Sequence, residues 1–138
     1  MLRRIFILAL LSAASLMLVV APGWAHQIAS NNGVSVQVHV NPGDEPVAGT
    51  PTTIWVVRVK NVKGTGTFSW ATCRCQLKVF DSSGTVVQNG PAKTAKTVVT
   101  FPEAKAYGIT FSGRIKRNGA WRTFKVSYAI RAAAPEGA

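Results

Sequence analysis

The sequence predicts an all-β protein, an immunoglobulin-like antiparallel β-sandwich of about seven strands that is preceded by an N-terminal signal helix. Two observations carry this prediction. Apolar and polar residues alternate with period two along short segments separated by turn-forming residues, and no segment beyond the leader has helical periodicity. Seven short strands in about 110 residues are typical of an immunoglobulin-like sandwich.

Residues 1–25 have the features of a signal peptide. Two arginines form a positive start, Ile5–Val20 is an apolar run, and small residues precede a cleavage point after Ala25. An uncleaved membrane anchor is the alternative, because the apolar run is close to the shortest length that spans a bilayer. Cleavage would deliver the protein to the periplasm or the cell exterior with His26 as its first residue.

Residues 26–138 are enough for one β-sandwich domain. The chain is 47% hydrophobic and 15% charged, which is typical of a globular protein. Its net charge is +11, and without the two leader arginines 14 basic residues stand against five acidic ones, a charge of +9. This balance favours an anionic envelope partner, such as an acidic polysaccharide or a lipid headgroup, unless the charge only keeps the protein soluble. No nucleic-acid-binding motif is present, so nucleic acid is not expected as a partner.

The first three predicted strands lie before residue 81. Valines alternate with polar residues over Val34–Val40, and Asn41–Pro46 then supplies strong turn chemistry. A second strand, rich in β-branched residues, covers Thr52–Lys60, and a third covers Trp70–Phe80. Large aromatic side chains dominate such cores, and those expected in this core are Trp55 and Trp70.

Four further strands complete the sandwich. They are predicted at Thr85–Gln88, at Thr97–Phe101, along the alternating residues Tyr107–Phe111, and at Phe124–Ile130, with a turn at Arg117–Gly119 before the last. Tyr107 follows a loop at the start of the sixth strand. It is either a tyrosine corner, whose hydroxyl bonds to upstream backbone, or a simple core tyrosine.

Cys73 and Cys75 are the two cysteines of the chain. In an extended strand they would lie on one face, with Cα atoms roughly 6.5–7 Å apart, at the outer limit of disulfide geometry. Three interpretations remain open. The pair is buried as two thiols, forms a disulfide in an oxidising compartment, or binds a soft metal such as Cu(I).

His26 and His39 are the two histidines, and they are candidate copper ligands. A mature N-terminal His26 would offer its amine and its ring nitrogen, and His39 a third nitrogen, a donor set that suits Cu(II). Asp44, in the following turn, could add an oxygen. The alternative is that both histidines are ordinary surface residues.

The sequence does not predict an enzyme. Only five carboxylates are present, and the adjacent Asp44 and Glu45 would point to opposite sides of an extended chain rather than form an acid–base pair. No nucleophile elbow, phosphate loop or zinc-protease helix is found. The candidate surface for an anionic partner is the most basic region of the chain, with the residues Arg114, Lys116, Arg117, Arg122 and Lys125.

Four segments follow one another in an order that is more specific than any one of them: His39–Pro51, Cys73–Leu77, Phe101–Ile109 and Phe124–Tyr128. Together they span nearly all of the predicted domain. In this order they resemble a group of small exported bacterial proteins with a Cys-x-Cys motif, seen for example in cyanobacteria. The resemblance brings no known activity with it.

More distantly, the chain is similar in plan to the periplasmic copper-resistance domains. Those are immunoglobulin-like sandwiches whose mature chain starts with a copper-binding histidine, which matches His26. This chain departs from them, since it has no histidine after His39 and both methionines lie in the leader. The sequence therefore predicts an exported, non-enzymatic binding or accessory module of the cell envelope, which acts on an anionic component or another envelope protein. A periplasmic copper-binding protein is the alternative.

Overall fold

A computed structural model describes residues 26–43 and 45–137, so the predicted signal peptide and its helix lie outside the described residues. The described part contains eight strands in two antiparallel four-stranded sheets, with the orders β1-β2-β3-β6 and β5-β4-β7-β8. No helix in this part is long and apolar enough to cross a membrane. The strands are β1 (His26–Asn31), β2 (Val34–Asn41), β3 (Pro51–Asn61), β4 (Gln76–Asp81), β5 (Val86–Pro91), β6 (Lys96–Thr100), β7 (Ala106–Arg117) and β8 (Ala120–Arg131).

The predicted all-β sandwich is confirmed, and the seven predicted strands correspond to β2–β8. The chain crosses from β3 to the second sheet, returns to the first sheet in β6 and crosses again to β7, as in immunoglobulin-like sandwiches. The Tyr107 hydroxyl donates to the Glu103 carbonyl oxygen at 2.9 Å and accepts the Glu103 N–H at 3.1 Å. Tyr107 is therefore a tyrosine corner and not only a core residue.

The core lies between the inward faces of the two sheets. Alternate residues of β2 are buried while their neighbours are half-buried, which is the period-two pattern of the sequence. The Tyr128 hydroxyl of β8 donates to the Val36 carbonyl oxygen of β2 at 2.8 Å, so a hydrogen bond crosses the core, and burial raises the pKa of Tyr128. The largest fully buried side chains are Phe101, Phe111, Ile54, Ile109 and Ile115.

Strand β1 was not predicted, and it closes one side of the sandwich. It forms a hairpin with β2 through Asn32 and Gly33, whose φ angles of 50° and 73° suit a two-residue turn. Side-chain amides next to this turn reach the outer edge of β8. The Asn32 amide donates to the Thr123 carbonyl oxygen at 2.8 Å, and the Asn31 side-chain oxygen accepts the Lys125 N–H at 3.0 Å. Backbone groups at the edge of β8 are thereby satisfied by side chains rather than by another strand.

The predicted third strand was too long at its start, because β4 begins at Gln76 and not at Trp70. Trp70 lies in a turn, where it is partly buried against the core. Trp55 was also predicted to be in the core, but it is half-buried on the outer face of β3. Its neighbours Ile54 and Val56 take the inward positions, and alternation then turns Trp55 outward.

Asp81 ties the end of β4 to two loops. One carboxylate oxygen accepts hydrogen bonds from the Ser83 hydroxyl at 2.7 Å and from the Thr85 N–H at 2.9 Å, and the other is 2.9 Å from the Lys105 ammonium. The hydrogen bonds from Ser83 and Lys105 hold the pKa of Asp81 well below its usual range. The charged form of Asp81 therefore stabilises the folded protein.

We expect Asp81→Asn to weaken the acid dependence of stability. Since the pKa of Asp81 is lower in the folded than in the unfolded state, the unfolded chain binds more protons in acid, and this stabilisation is lost as the pH falls below about 4. Urea unfolding at a series of pH values measures the effect. The exposed Glu136→Gln variant is the control, and an equal change in both variants would contradict the assignment to Asp81.

Candidate functional site

The chain between β3 and β4, residues 62–75, forms one long loop that we call the site loop. Its first part is fixed to the β7–β8 turn, where the Asn118 side-chain oxygen accepts the Thr65 N–H at 2.9 Å. The Asn61 amide, just before the loop, donates to the Lys116 carbonyl oxygen at 2.8 Å. The last part of the site loop is fixed to β7, since the Arg114 N–H donates to the Cys73 carbonyl oxygen at 2.9 Å. The loop is thus held at both ends against the second sheet.

An exposed tryptophan on β8 contacts two basic residues of the neighbouring strand β7. The register places Trp121 opposite Lys116. Arg114 lies two residues before Lys116 on β7, so its side chain is on the same face. The guanidinium carbon of Arg114 is 3.9 Å from the centre of the Trp121 ring, and the Lys116 ammonium is 5.1 Å from it. These are cation–π contacts, and they hold the two charges beside an indole that is 41% exposed.

The site loop and these side chains enclose a pocket of about 200 Å³, which we call the Trp121 pocket. The Arg114 Nε donates to the Thr72 carbonyl oxygen at 2.9 Å, which fixes the guanidinium at the rim. Hydroxyl groups and cations are the groups that bind carboxylates and phosphates, and an indole offers an apolar surface to a sugar ring. The polar and aromatic residues that line it are Thr67, Ser69, Thr72, Arg114, Lys116 and Trp121.

The five predicted cationic residues do not form one surface. Lys125 lies on the same outer face as Arg114, opposite Ser112, whereas Arg122 is exposed at a position opposite the inward-facing Ile115. Arg117 turns toward the first sheet. Its guanidinium donates to the Asn32 carbonyl oxygen and, at 3.2 Å, to the Asn61 side-chain oxygen. Arg114 and Lys116 are therefore brought together, while Arg117 joins the two sheets.

A disulfide bond joins Cys73 and Cys75, whose Cα atoms are 5.1 Å apart. The two cysteines precede β4 instead of lying in a strand, and Arg74 between them has a φ of 50°, which brings them closer than an extended chain would. Both are buried, at 1% and 3% exposure. A Cβ at Gly113 would be 2.7 Å from the Cys75 sulfur, so only glycine fits beneath the bond. The disulfide thus fixes the end of the site loop that carries Thr72.

The two predicted metal-binding histidines lie at the opposite end of the β1–β2 hairpin from its turn. The register places the backbone of His26 opposite that of His39. The His39 Nε2 is 2.7 Å from the Asn41 side-chain oxygen, and its ring meets Trp55 edge-on at 6.0 Å. Asp44 and the side chain of His26 lie outside the described residues. Among the groups that are described, no three His, Cys, Asp or Glu residues cluster to hold a metal ion.

No family model, curated protein or solved structure matches this chain. The site is therefore defined by geometry alone, and sequence reasoning missed its aromatic residue and its site-loop hydroxyls. One pattern could have identified Trp121. The two-residue turn Asn118–Gly119 sets the register of the β7–β8 hairpin, and that register pairs Trp121 with Lys116.

We expect the unfolded, unreduced protein to show no free sulfhydryl, and the reduced protein to show two. Cys73→Ser combined with Cys75→Ser should lower the free energy of unfolding by about 2 kcal/mol, the low end for a disulfide because the closed loop is short. Thiol titration and urea unfolding measure both effects. The reduced wild-type protein is the control for the thiol titration. Free thiols detected before reduction would contradict the structural role of the disulfide.

Proposed function

We propose that this protein is an exported, non-enzymatic binding module of the cell envelope that holds an acidic polysaccharide at the Trp121 pocket. The observation that carries the proposal is the arrangement of Arg114 and Lys116 around the exposed Trp121, beside three hydroxyl residues of the site loop. A uronate residue has both features that this arrangement recognises. Its carboxylate would bind the cations, and its ring would contact the indole.

The surrounding charge supports an anionic ligand. The net charge, +11 for the whole chain and +9 without the two leader arginines, attracts acidic polymers, and Lys125 extends the positive outer face beyond the pocket. Two of the described carboxylates are held in ion pairs and do not line the Trp121 pocket. Asp81 is engaged by Lys105 and by loop hydrogen bonds, and Glu103 forms an ion pair with the same Lys105. The Asp81 contact joins the end of β4 to the loop before β7.

We expect the purified protein to be retained on immobilised polygalacturonate at low salt and released as the salt concentration rises, because screening weakens exposed charge contacts. Neutral dextran should not retain it. Arg114→Gln combined with Lys116→Gln should weaken binding about tenfold or more, a loss of about 1.4 kcal/mol per tenfold. Trp121→Ala should weaken it as well, and affinity chromatography with isothermal titration measures both.

The matched control is Lys93→Gln combined with Arg131→Gln, which removes the same charge from exposed positions outside the pocket. Equal weakening by the control and the pocket variant would mean that net charge alone retains the protein, and the proposal would be wrong. Vesicles containing phosphatidylglycerol form a second arm. Binding to these vesicles that exceeds binding to polygalacturonate would assign the anionic partner to lipid instead.

Copper binding is a second candidate function, and one observation favours it. The β1–β2 register puts the backbone of His26 directly opposite His39. If the leader is removed after Ala25, the α-amine of His26 would lie opposite His39, and an amine with imidazole nitrogens is a donor set that suits Cu(II). Asn41 contacts His39 at Nε2, which supports a fixed ring orientation, as outer-shell partners do for metal-binding histidines.

We expect exported protein that starts at His26 to bind one Cu(II) with submicromolar affinity, and His26→Ala and His39→Ala each to weaken binding strongly. Electron paramagnetic resonance should show nitrogen coordination, since the amine and both rings supply nitrogen. Mass spectrometry of the intact protein first establishes its N-terminus. Absence of binding by protein that starts at His26 would contradict the copper function and leave the Trp121 pocket unaffected.

A further inference from the structure

The second half of β3 has a partner strand on one side only. On the side of β2 it is paired as far as Asn61, whereas on the side of β6 the pairing covers Pro51–Trp55. It ends with a hydrogen bond of 2.8 Å from the Val56 N–H to the Ala95 carbonyl oxygen. In the part of the chain that the structure describes, no strand continues along Val57–Asn61 on that side. Such an edge offers its backbone to an additional strand.

A groove of about 340 Å³ runs along this edge. One wall is Val57–Lys60, and the other is Gly66–Phe68 of the site loop. A β-bulge inserts Val57 just beyond the point where the pairing with the start of β6 stops, and the pairing with β2 is regular again from Arg58 to Asn61. The open edge is therefore a regular strand that faces a second wall across the groove, and we call it the β3 groove.

The exposed side chains of the β3 groove indicate which kind of ligand would bind there. Its β3 wall carries the exposed cations Arg58 and Lys60, together with Val57, which is 38% exposed. An extended peptide can meet a strand edge with its backbone and present acidic side chains to the cations. A second copy of this chain fits less well, because it is equally basic, with a net charge of +9 without the two leader arginines, and like charges on paired strands repel.

We propose that the β3 groove accepts an extended acidic segment of a partner protein, which adds a strand to the first sheet beside β3. Backbone hydrogen bonds supply the affinity, and Arg58 and Lys60 supply the selection for acidic sequences. This inference is independent of polysaccharide binding. The β3 wall contributes no residue to the lining of the Trp121 pocket, and Thr67 is the site-loop residue that lines both cavities.

The test uses the purified protein and a fluorescent peptide of about eight residues, a typical strand length, in which valine alternates with glutamate. We expect saturable binding by anisotropy, and slower amide hydrogen exchange at those residues of 57–61 whose N–H groups point away from β2, because the new strand protects these groups when the peptide is bound. Arg58→Glu combined with Lys60→Glu should weaken binding at least about tenfold. A peptide with lysine in place of glutamate should not bind.

The matched control is Lys93→Glu combined with Arg131→Glu, which makes the same charge change away from the β3 groove. Trp121→Ala should retain peptide binding, so failure of this proposal and failure of the polysaccharide proposal give different results. Unchanged exchange in residues 57–61 would overturn the proposal. Arg58 and Lys60 would then be charged side chains that protect an exposed strand edge against pairing. Equal weakening by the control, or a dimer that excludes the peptide, would overturn it as well.

Discussion

The hydrogen bonds that hold the site loop against the second sheet are the constraint on which the two proposed binding surfaces depend. Asn61, just before the loop, donates to the Lys116 carbonyl oxygen, and the Asn118 side-chain oxygen in the β7–β8 turn accepts the Thr65 N–H. Arg117 joins β7 to the β1–β2 turn through the Asn32 carbonyl oxygen. The site loop forms one wall of the Trp121 pocket and one wall of the β3 groove. Without these hydrogen bonds, neither cavity would keep a defined second wall.

The fold could be predicted because the information that specifies it is local. Alternation over Val34–Val40 identifies a buried face without knowledge of the partner strand, whereas a tyrosine after a loop only marked Tyr107 as one of two alternatives, a corner or a core residue. Strand β1 escaped prediction because its stability is not local. Its amide side chains satisfy the edge of β8, about a hundred residues away, as in the bond of Gln27 to the Ala129 carbonyl oxygen. Only the dipeptide Asn32–Gly33 marked the hairpin in the sequence.

The candidate site could be predicted only as a set of charges. Residues Arg114, Lys116 and Arg117 are close in sequence, yet the period of two sends Arg117 inward while the other two share the outer face. The hydroxyls of the Trp121 pocket arrive from a loop more than forty positions earlier, held by contacts such as Arg114 with the Thr72 carbonyl oxygen. Sequence periodicity carries no information about such loop contacts, so neither periodicity nor charge composition could locate the pocket.

The exposed backbone groups at the strand edges have different surroundings on the two long sides of the sandwich. Where β1 meets β8, side-chain amides of Asn31 and Asn32 occupy backbone groups of the β8 edge, which removes the partners that another strand would need. Where the pairing of β3 with β6 stops, the bulge at Val57 leaves the rest of β3 beside a groove. A protein that is strongly basic can keep such an edge without pairing to itself, because like charges oppose self-association. A positive surface opposes pairing between copies and attracts acidic segments, so both effects of charge agree with the occupant proposed for the β3 groove.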